Sequence, residues 1–290
     1  MQRANYPLKY FIFNHLKGIQ MKTIAKHLAL AGALALSLTS YQAKAQQAAP
    51  VETAPATPAP ENTLVPKISL YSEYEYRGIS QTSQKPAVQF NLDYTHTSGF
   101  YLGTFVSNIK WLKDTAKAGG FSTNAQIEWD LFGGYRFEVA KDVTVDVGYL
   151  RYEYPSSSAF NPKPNTDELY AGVTYGAFNL KYSHSINDTF GVLNSKNSYF
   201  IEANWSQEIM PKLTANAQIA RQGYKGTQIH DIHNGDLSYN VYKLGLTYDL
   251  GDGWNVGGYV KDTSAKKELY TIEGKDWSKP RLVAFVSKSF

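Results

Sequence analysis

The side chains from residue 67 to residue 109 alternate between apolar and polar, and this alternation constrains the fold more than any other feature. From residue 88 to residue 95 the chain reads VQFNLDYT, in which each apolar residue is followed by a polar one. A repeat of two residues is typical of a β-strand with one apolar and one polar face. The apolar faces of such strands must be buried either in a protein core or in lipid.

Between residues 67 and 290 the alternation recurs and predicts an all-β fold of twelve antiparallel strands in up-and-down order. Short turns such as 97–99 and 251–253 alternate with longer polar connections such as 110–123. A transmembrane β-barrel has this arrangement, with turns at one end and loops at the other. The predicted strands are roughly 67–79, 86–97, 100–109, 124–137, 143–154, 167–175, 178–187, 197–206, 213–224, 239–250, 254–262 and 281–290.

The direction of the apolar faces distinguishes a membrane barrel from a water-soluble one. Aromatic residues concentrate near the predicted strand ends, where their rings would lie at the two membrane–water interfaces. We therefore predict lipid outside, water inside and a closed sheet, because an open edge in hydrocarbon leaves backbone groups unpaired. The predicted belt residues are Tyr74, Tyr76, Tyr94, Tyr135, Phe137, Tyr149, Tyr199, Trp205, Tyr248 and Trp254.

The residues before the predicted barrel differ from it in composition. Residues 21–45 combine Lys22 and Lys26 with an apolar run and an Ala-x-Ala site ending at Ala45, which is typical of a secretory signal peptide. The apolar run is shorter than the about 20 residues that a spanning helix needs. We expect a signal peptide over 1–45, with Met21 as an alternative start, a Pro/Ala/Thr-rich disordered linker over 46–66 and the barrel over 67–290.

The charge distribution excludes nucleic acid as a partner. The whole chain has a formal charge of +4, but residues 1–45 hold six basic residues and no acidic one, which leaves 23 basic against 25 acidic residues. No basic patch suited to nucleic acid remains. The chain has no Cys, so disulfides and thiolate metal sites are excluded. The mean hydropathy of −0.38 is too low for a bundle of membrane helices.

The last predicted strand carries a second indication of location. It places Leu282, Ala284 and Val286 on one face, and the chain ends in Phe290. An aromatic residue at the end of an amphipathic strand resembles the recognition signal of bacterial outer-membrane barrels, although Lys288 interrupts the apolar row. Together with the signal peptide, it predicts the outer membrane of a Gram-negative bacterium, with membrane lipid and the barrel-assembly machinery as partners.

Several short motifs resemble the TorF family of outer-membrane porins over nearly all of residues 67–290. One departure is Ser156 after Tyr154-Pro155, where the family pattern has Gly, and it affects one loop only. The resemblance implies a barrel with a pore, and it supplies no catalytic residue and no cofactor. The motifs are YEYRGISQ at 74–81, Lys85-Pro86-Ala87, Ser98-Gly99-Phe100-Tyr101-x-Gly103, Ser107-Asn108, Gly133-Gly134-Tyr135-Arg136, Asp146-x-Gly148-Tyr149, Tyr154-Pro155 and Ser287-Lys288-Ser289-Phe290.

The polar strand faces collect more acidic than basic residues, and these line the predicted lumen. We expect Glu73 and Glu75 to lie close to Asp93, and Glu128 and Asp130 to lie near Asp146. One interpretation is an acidic constriction that favours cations; the other is a set of internal salt bridges that keeps the lumen polar. The pore-lining candidates are Glu73, Glu75, Arg77, Asp93, Glu128, Asp130, Asp146, Glu168, Lys181, Glu202 and Lys243.

Two smaller features have open interpretations. Arg77 could set the selectivity of the pore or brace the wall against neighbouring carboxylates. His230, Asp231 and His233 with Asp236 have a spacing that permits a metal site in the loop 225–238. A flexible polar loop with incidental histidines is the favoured interpretation, so no metal site is predicted.

The function predicted from these features is a porin-like channel for passive diffusion of small hydrophilic solutes or ions, mildly favouring cations. A twelve-stranded barrel is narrow, so lumenal side chains decide what passes. The alternatives are an outer-membrane barrel enzyme of the lipase or protease kind, and a structural or adhesin barrel without transport. The sequence leaves the oligomeric state, monomer or trimer, open.

Overall fold

A computed structural model describes residues 60–227 and 233–290. The predicted signal peptide, most of the predicted linker, His230 and Asp231 therefore lie outside the described residues. The strands are β1 Asn62–Tyr71, β2 Glu75–Tyr76, β3 Ile79–Ser80, β4 Ala87–His96, β5 Phe100–Asn108, β6 Ile127–Ala140, β7 Val143–Glu153, β8 Thr166–Tyr175, β9 Phe178–Ser185, β10 Tyr199–Met210, β11 Leu213–Gly223, β12 Tyr239–Gly251, β13 Trp254–Thr263, β14 Thr271–Ile272, β15 Lys275–Asp276 and β16 Arg281–Ser289.

Twelve of these strands form one closed antiparallel barrel, in the order β1, β4 to β13, β16. Closure is made by β1, in which Leu70 pairs with Val88 of β4 on one side and with Val286 of β16 on the other. Every barrel strand therefore has a neighbour on both sides, which removes the edges that hydrocarbon would not tolerate. The predicted twelve-stranded up-and-down barrel is confirmed.

The short turns all lie at one end of the barrel, here called the turn end, and the long connections lie at the other, the loop end. Two turns require glycine. Gly99 has φ +101°, and a Cβ there would lie 2.0 Å from the backbone oxygen of Arg136. Gly253 has φ +79°, and its Cβ would lie 2.3 Å from the oxygen of Ser289.

The loop end carries the remaining regular structure of the described residues. Helix α1 spans Trp111–Ala118, a 3-10 turn spans Asn234–Leu237, and a short helix α2 spans Lys267–Tyr270. The ion pairs Lys117–Glu273 and Lys266–Asp236 join these loops to one another. None of the described helices has the length and apolar character needed to cross a membrane.

The outer wall is apolar and the inner wall is polar. On β16, Leu282 is 72% exposed while its neighbour Val283 is fully buried. The same contrast separates exposed Leu246 from Gly245 on β12, and exposed Ile68 from Ser69 on β1. An apolar exterior around a polar interior is the reverse of a water-soluble barrel. The predicted direction of the two faces is confirmed.

The first predicted strand, 67–79, differs from the structure at both ends. β1 begins at Asn62, inside the segment predicted as linker, and it ends at Tyr71. After Tyr71 the chain turns inward and forms a small hairpin from β2 and β3. Tyr74 is only 4% exposed, so its predicted place in an interfacial aromatic belt is wrong.

Some inward aromatic rings lie flat on the wall because glycine on the neighbouring strand leaves room for them. A Cβ on Gly103 would lie 2.2 Å from Cζ of Phe132, a ring held against β5. A Cβ on Gly172 would meet its nearest atom only at 3.4 Å, an ordinary contact distance. Recesses of the first kind keep bulky rings out of the centre of the lumen.

We expect Gly103→Ala to lower the free energy of unfolding by about 1–3 kcal/mol, because the new Cβ would force the Phe132 ring out of its recess and into a less favourable rotamer. Gly172→Ala is the matched control, with an expected change within about 0.5 kcal/mol. Urea-dependent unfolding in lipid vesicles measures both. Equal effects of the two substitutions would contradict the claim that Gly103 leaves room for the Phe132 ring.

Candidate functional site

The inward hairpin, residues 72–86, enters the loop end of the lumen and is built around a tight turn. Glu75 pairs with Ser80 and Tyr76 with Ile79, which leaves Arg77 and Gly78 as the two turn residues. Both have positive φ, +48° and +84°, as in a type I′ turn. A Cβ on Gly78 would lie 2.4 Å from Cγ2 of Thr263, so the position also lacks room for a side chain.

Arg77 carries the guanidinium group at the tip of this hairpin into a site made by the barrel wall. Its Nη1 donates to Oε1 of Glu168 on β8 at 3.0 Å, and its Nη2 donates to Oε2 of the same carboxylate at 2.7 Å. Nη1 also donates to Oε1 of Gln222 at 3.0 Å. Because β8 is the fifth strand from β1 around the ring of twelve, the hairpin reaches across the lumen.

Aromatic rings surround the same guanidinium group. Its central carbon lies 4.4 Å from the ring centroid of Phe200, 5.0 Å from that of Tyr76 and 5.9 Å from that of Phe190. Ring faces attract cations. Burial lowers the pKa of Arg77, but the Glu168 carboxylate and the hydroxyl groups of Tyr76 and Tyr152 together raise it by more, so the pKa lies well above its ordinary value. Arg77 therefore stays charged.

Three further polar contacts hold the hairpin to the opposite side of the barrel. Lys243 pairs with Glu75 at 2.5 Å, and Arg281 pairs with Glu73 at 3.0 Å. Lys261 donates from Nζ to the backbone oxygen of Gly78 at 2.8 Å. Removing one partner of a buried ion pair lowers the free energy of unfolding by far more than the intact pair contributes to it.

Glu128 and Asp130 lie next to the hairpin, and neither forms a salt bridge with another described residue. Glu128 accepts hydrogen bonds from the hydroxyl groups of Tyr74 and Tyr154. Burial raises the pKa of Tyr74 well above its ordinary value and the Glu128 charge raises it further, so Tyr74 remains a donor. Asp130 is 7% exposed, and its Oδ1 has no hydrogen-bond partner among the described residues.

The turn-end half of the lumen is lined by a second set of charges. Arg136 pairs with Asp146 at 3.1 Å and covers the ring of Tyr101, with its guanidinium carbon 3.9 Å from the centroid. Lys181 places its ammonium group 4.0 Å from the centroid of the Tyr170 ring. Positive and negative side chains therefore share this half.

Glu202 and Asp93 complete the charges of the turn-end half. Glu202 accepts from the side-chain amides of Gln218 at 2.7 Å and Asn204 at 3.1 Å, and it forms no salt bridge with a described residue. Asp93 on β4 lies opposite Gly103, and neither it nor Lys181 belongs to a salt bridge of the described residues. These side chains lie on the inner wall and make none of the hairpin contacts described above.

Two predicted juxtapositions are wrong. Glu73 lies beyond the last β1–β4 pair, Tyr71 with Ala87, whereas Asp93 lies opposite Val65. Six residues of β4 separate Ala87 from Asp93, about 20 Å along the strand. The predicted acidic constriction of Glu73, Glu75 and Asp93 does not form.

The second wrong pairing concerns β6 and β7. The turn between them sets Asp130 opposite Tyr152 and sets Asp146 opposite Arg136. Asp130 and Asp146 are therefore about 20 Å apart along the strand. The structure instead brings Glu73, Glu75, Arg77, Glu168 and Lys243 together around the hairpin.

Sequence reasoning missed several residues of the Arg77 site. Gln222, Phe200 and Tyr152 contact Arg77 but were not candidates. Gln222 and Tyr152 lie on the inward faces of their strands, so the alternation of inward and outward residues could have identified them as candidates. Nothing local in the sequence connects Phe200 with a residue more than a hundred positions earlier.

The loop that carries the histidines is only partly described. His233 forms an isolated bridge with Thr227, and Asp236 pairs with Lys266 at 2.6 Å. Among the described residues, no group of three or more metal-ligating side chains is placed to hold a metal ion.

A closed barrel with an apolar exterior, a polar lumen and an inward hairpin defines the class of this chain as a transmembrane β-barrel. The family model described as a bacterial protein of unknown function (Gcw_chp) matches residues 55–290. The chain belongs to this family. A comparison with curated proteins finds no match.

Among solved structures, the chain is similar to several outer-membrane proteins. The KdgM porin in complex with disordered oligogalacturonate has a TM-score of 0.49 at 10% identity, with 79% of this chain and 99% of that chain covered. The NanC porin has a TM-score of 0.48 at 13% identity, with 79% and 99% covered. An outer membrane channel from Pseudomonas putida F1 has a TM-score of 0.48 at 11% identity, with 83% and 100% covered.

Proposed function

We propose that this protein is an outer-membrane channel for the passive diffusion of small hydrophilic solutes or ions, with its loop end facing the cell exterior. The observation that carries the proposal is the polar turn-end half of the lumen, where Lys181 and Asp93 belong to no salt bridge of the described residues. A charged group without an ion-pair partner is stable on an inner wall that meets water, whereas burying it in a filled core costs free energy.

The inward hairpin limits what this channel passes. It crosses the loop end of the lumen and joins opposite walls through Arg77 and Glu168. A solute must therefore pass beside the hairpin or displace it. The resemblance to the TorF porins supports the same function, and Phe290 at the end of the last strand supports insertion by the barrel-assembly machinery.

A barrel without transport is the second candidate, and one observation favours it. The loop-end half is filled by a hairpin whose charged side chains Glu73, Glu75 and Arg77 are all paired. A stable filling of this kind would suit a structural barrel. Conductance measurements distinguish the two candidates.

We expect the purified barrel to give ohmic single-channel steps in planar bilayers, and Asp93→Asn to lower its preference for K⁺ over Cl⁻. Asp93 contributes its charge to the lumen, whereas the charge of Glu73 is neutralised by Arg281. Glu73→Gln is the matched control and should alter the conductance more than the selectivity. Folded protein that never conducts would refute the channel, and unchanged selectivity of Asp93→Asn would refute the role of Asp93.

A further inference from the structure

We propose that the chamber around the Arg77 guanidinium group is a binding site for solutes that carry a guanidinium group, which compete with Arg77 for Glu168 and so displace the inward hairpin. The inference rests on the proposed channel function and names its class of solute. Arg77 occupies the chamber as an internal ligand.

The chamber belongs to the barrel wall and not to the hairpin. Glu168 lies on β8, Tyr152 on β7, Phe200 on β10 and Gln222 on β11, and all four contact the guanidinium group of Arg77. These strands keep their places when the hairpin moves, because each is paired on both sides within the closed barrel. The binding groups therefore remain for another ligand.

The chemistry of the chamber matches a planar fork of donors. Both oxygens of Glu168 accept from the two Nη atoms of Arg77, and Gln222 accepts from Nη1. Ser185 donates to Oε1 of Glu168 at 3.3 Å and helps to hold the carboxylate in position. A bidentate carboxylate beside an aromatic face favours guanidinium over ammonium, which is a strongly hydrated point charge.

Asp130 lies beside the chamber, opposite Tyr152 across the β6–β7 pair, and offers an acceptor to an incoming ligand. Glu128 and Asp130 lie on the inward face of β6, and neither has a cationic partner in a salt bridge of the described residues. The Oδ1 atom of Asp130 is buried and has no hydrogen-bond partner among those residues. A ligand that carries N–H donors therefore finds a further acceptor beside the chamber.

A solute that binds in the chamber must compete with Arg77, which is tethered to the same protein. A tethered group has an effective concentration of the order of millimolar. Free guanidinium should therefore act on the wild-type channel only at millimolar concentrations, and at lower ones when the Arg77 side chain is removed.

The test is chemical rescue of the full-length Arg77→Ala barrel in detergent, with guanidinium chloride as the probe. We expect about 10 mM guanidinium to raise the midpoint of thermal unfolding of Arg77→Ala by about 2–4 °C, because the ligand refills the chamber. Denaturation by guanidinium scales with its molar concentration and is negligible in this range. Urea at equal concentration has the same planar shape without charge and should give no shift.

Arg151→Ala is the matched control variant. Arg151 donates from Nη1 to both carboxylate oxygens of Asp167, the residue before Glu168, but on the outer side of the wall. Guanidinium should not stabilise this variant. Arg77→Lys, which leaves Glu168 with a single ammonium donor, should also be stabilised, and it supplies the measurement if Arg77→Ala does not fold.

The outcomes separate the site from the channel. A shift with guanidinium that is larger in the Arg77 variants than in the wild type, and absent from Arg151→Ala, supports the site, whether or not these barrels conduct. No shift in them, or an equal shift with urea or in Arg151→Ala, overturns the site, and the bilayer recordings of the wild type then still decide the channel.

Discussion

Arg77→Ala is expected to open the loop end of the lumen and to increase the open fraction of the channel by about two to three orders of magnitude. The substitution leaves Glu168, which is fully buried, without its cation. Breaking a buried pair by removing one partner costs about 3–5 kcal/mol, and every 1.4 kcal/mol is a factor of ten. This cost destabilises only the closed state, in which the hairpin occupies the lumen, because water reaches Glu168 once the hairpin is displaced.

Single-channel recordings in planar bilayers measure this effect. Arg151→Ala should leave the open fraction unchanged, because its partner Asp167 lies on the outer side of the wall. Glu168→Gln should also open the channel, since it leaves Arg77 buried without an anion. The double substitution should open it less than the sum of the two single effects, because no buried charge is left unpaired. An Arg77→Ala channel with the wild-type open fraction would contradict the seated hairpin.

Leu246→Arg is expected to lower the free energy of unfolding from a bilayer by about 2–4 kcal/mol, the cost of a basic residue on the lipid face near the membrane centre. Leu246 lies in the middle part of β12 and is 49% exposed on the outer wall. An arginine there must either stay in hydrocarbon or distort the bilayer around it.

Thr247→Arg is the control for this substitution because the adjacent residue faces the lumen. The hydroxyl of Thr247 accepts a hydrogen bond from Asn216 at 3.3 Å on the inner wall. Denaturant titration of both variants in phosphatidylcholine vesicles should show a loss of stability for Leu246→Arg alone. A larger loss for Thr247→Arg would mean that the two faces are reversed.

The alternation of apolar and polar side chains was enough to predict the barrel wall of this protein. From VQFNLDYT onward, the two-residue repeat identified the strands and their outward side, and the alternation of short and long connections predicted the up-and-down order. The same alternation predicted that Glu168 and Lys243 face inward, and both are buried. These features depend on neighbours in sequence and on the solvent that each face meets.

The same rule failed at residues 72–79, where the alternation continues although the strand does not. Tyr74, Glu75, Tyr76 and Arg77 alternate as the rest of β1 does, so the sequence extends the strand through them. In the structure the chain leaves the wall after Tyr71, and Arg77-Gly78 forms a tight turn. The contacts that favour this turn come from Glu168, Lys243 and Arg281, which lie far along the chain.

The sequence by itself determined a lipid-facing, closed, twelve-stranded wall, because strand direction and face follow from a local repeat of two residues. Only the tertiary structure decided which charges meet inside that wall. Register between strands is fixed by turns and bulges, and the β1–β4 register places Asp93 opposite Val65, about 20 Å along the strand from the Tyr71–Ala87 pair where the hairpin begins. Insertion of Arg77 into the chamber depends on the closed ring, because its partners come together only when β8 and β11 stand across the lumen from β1.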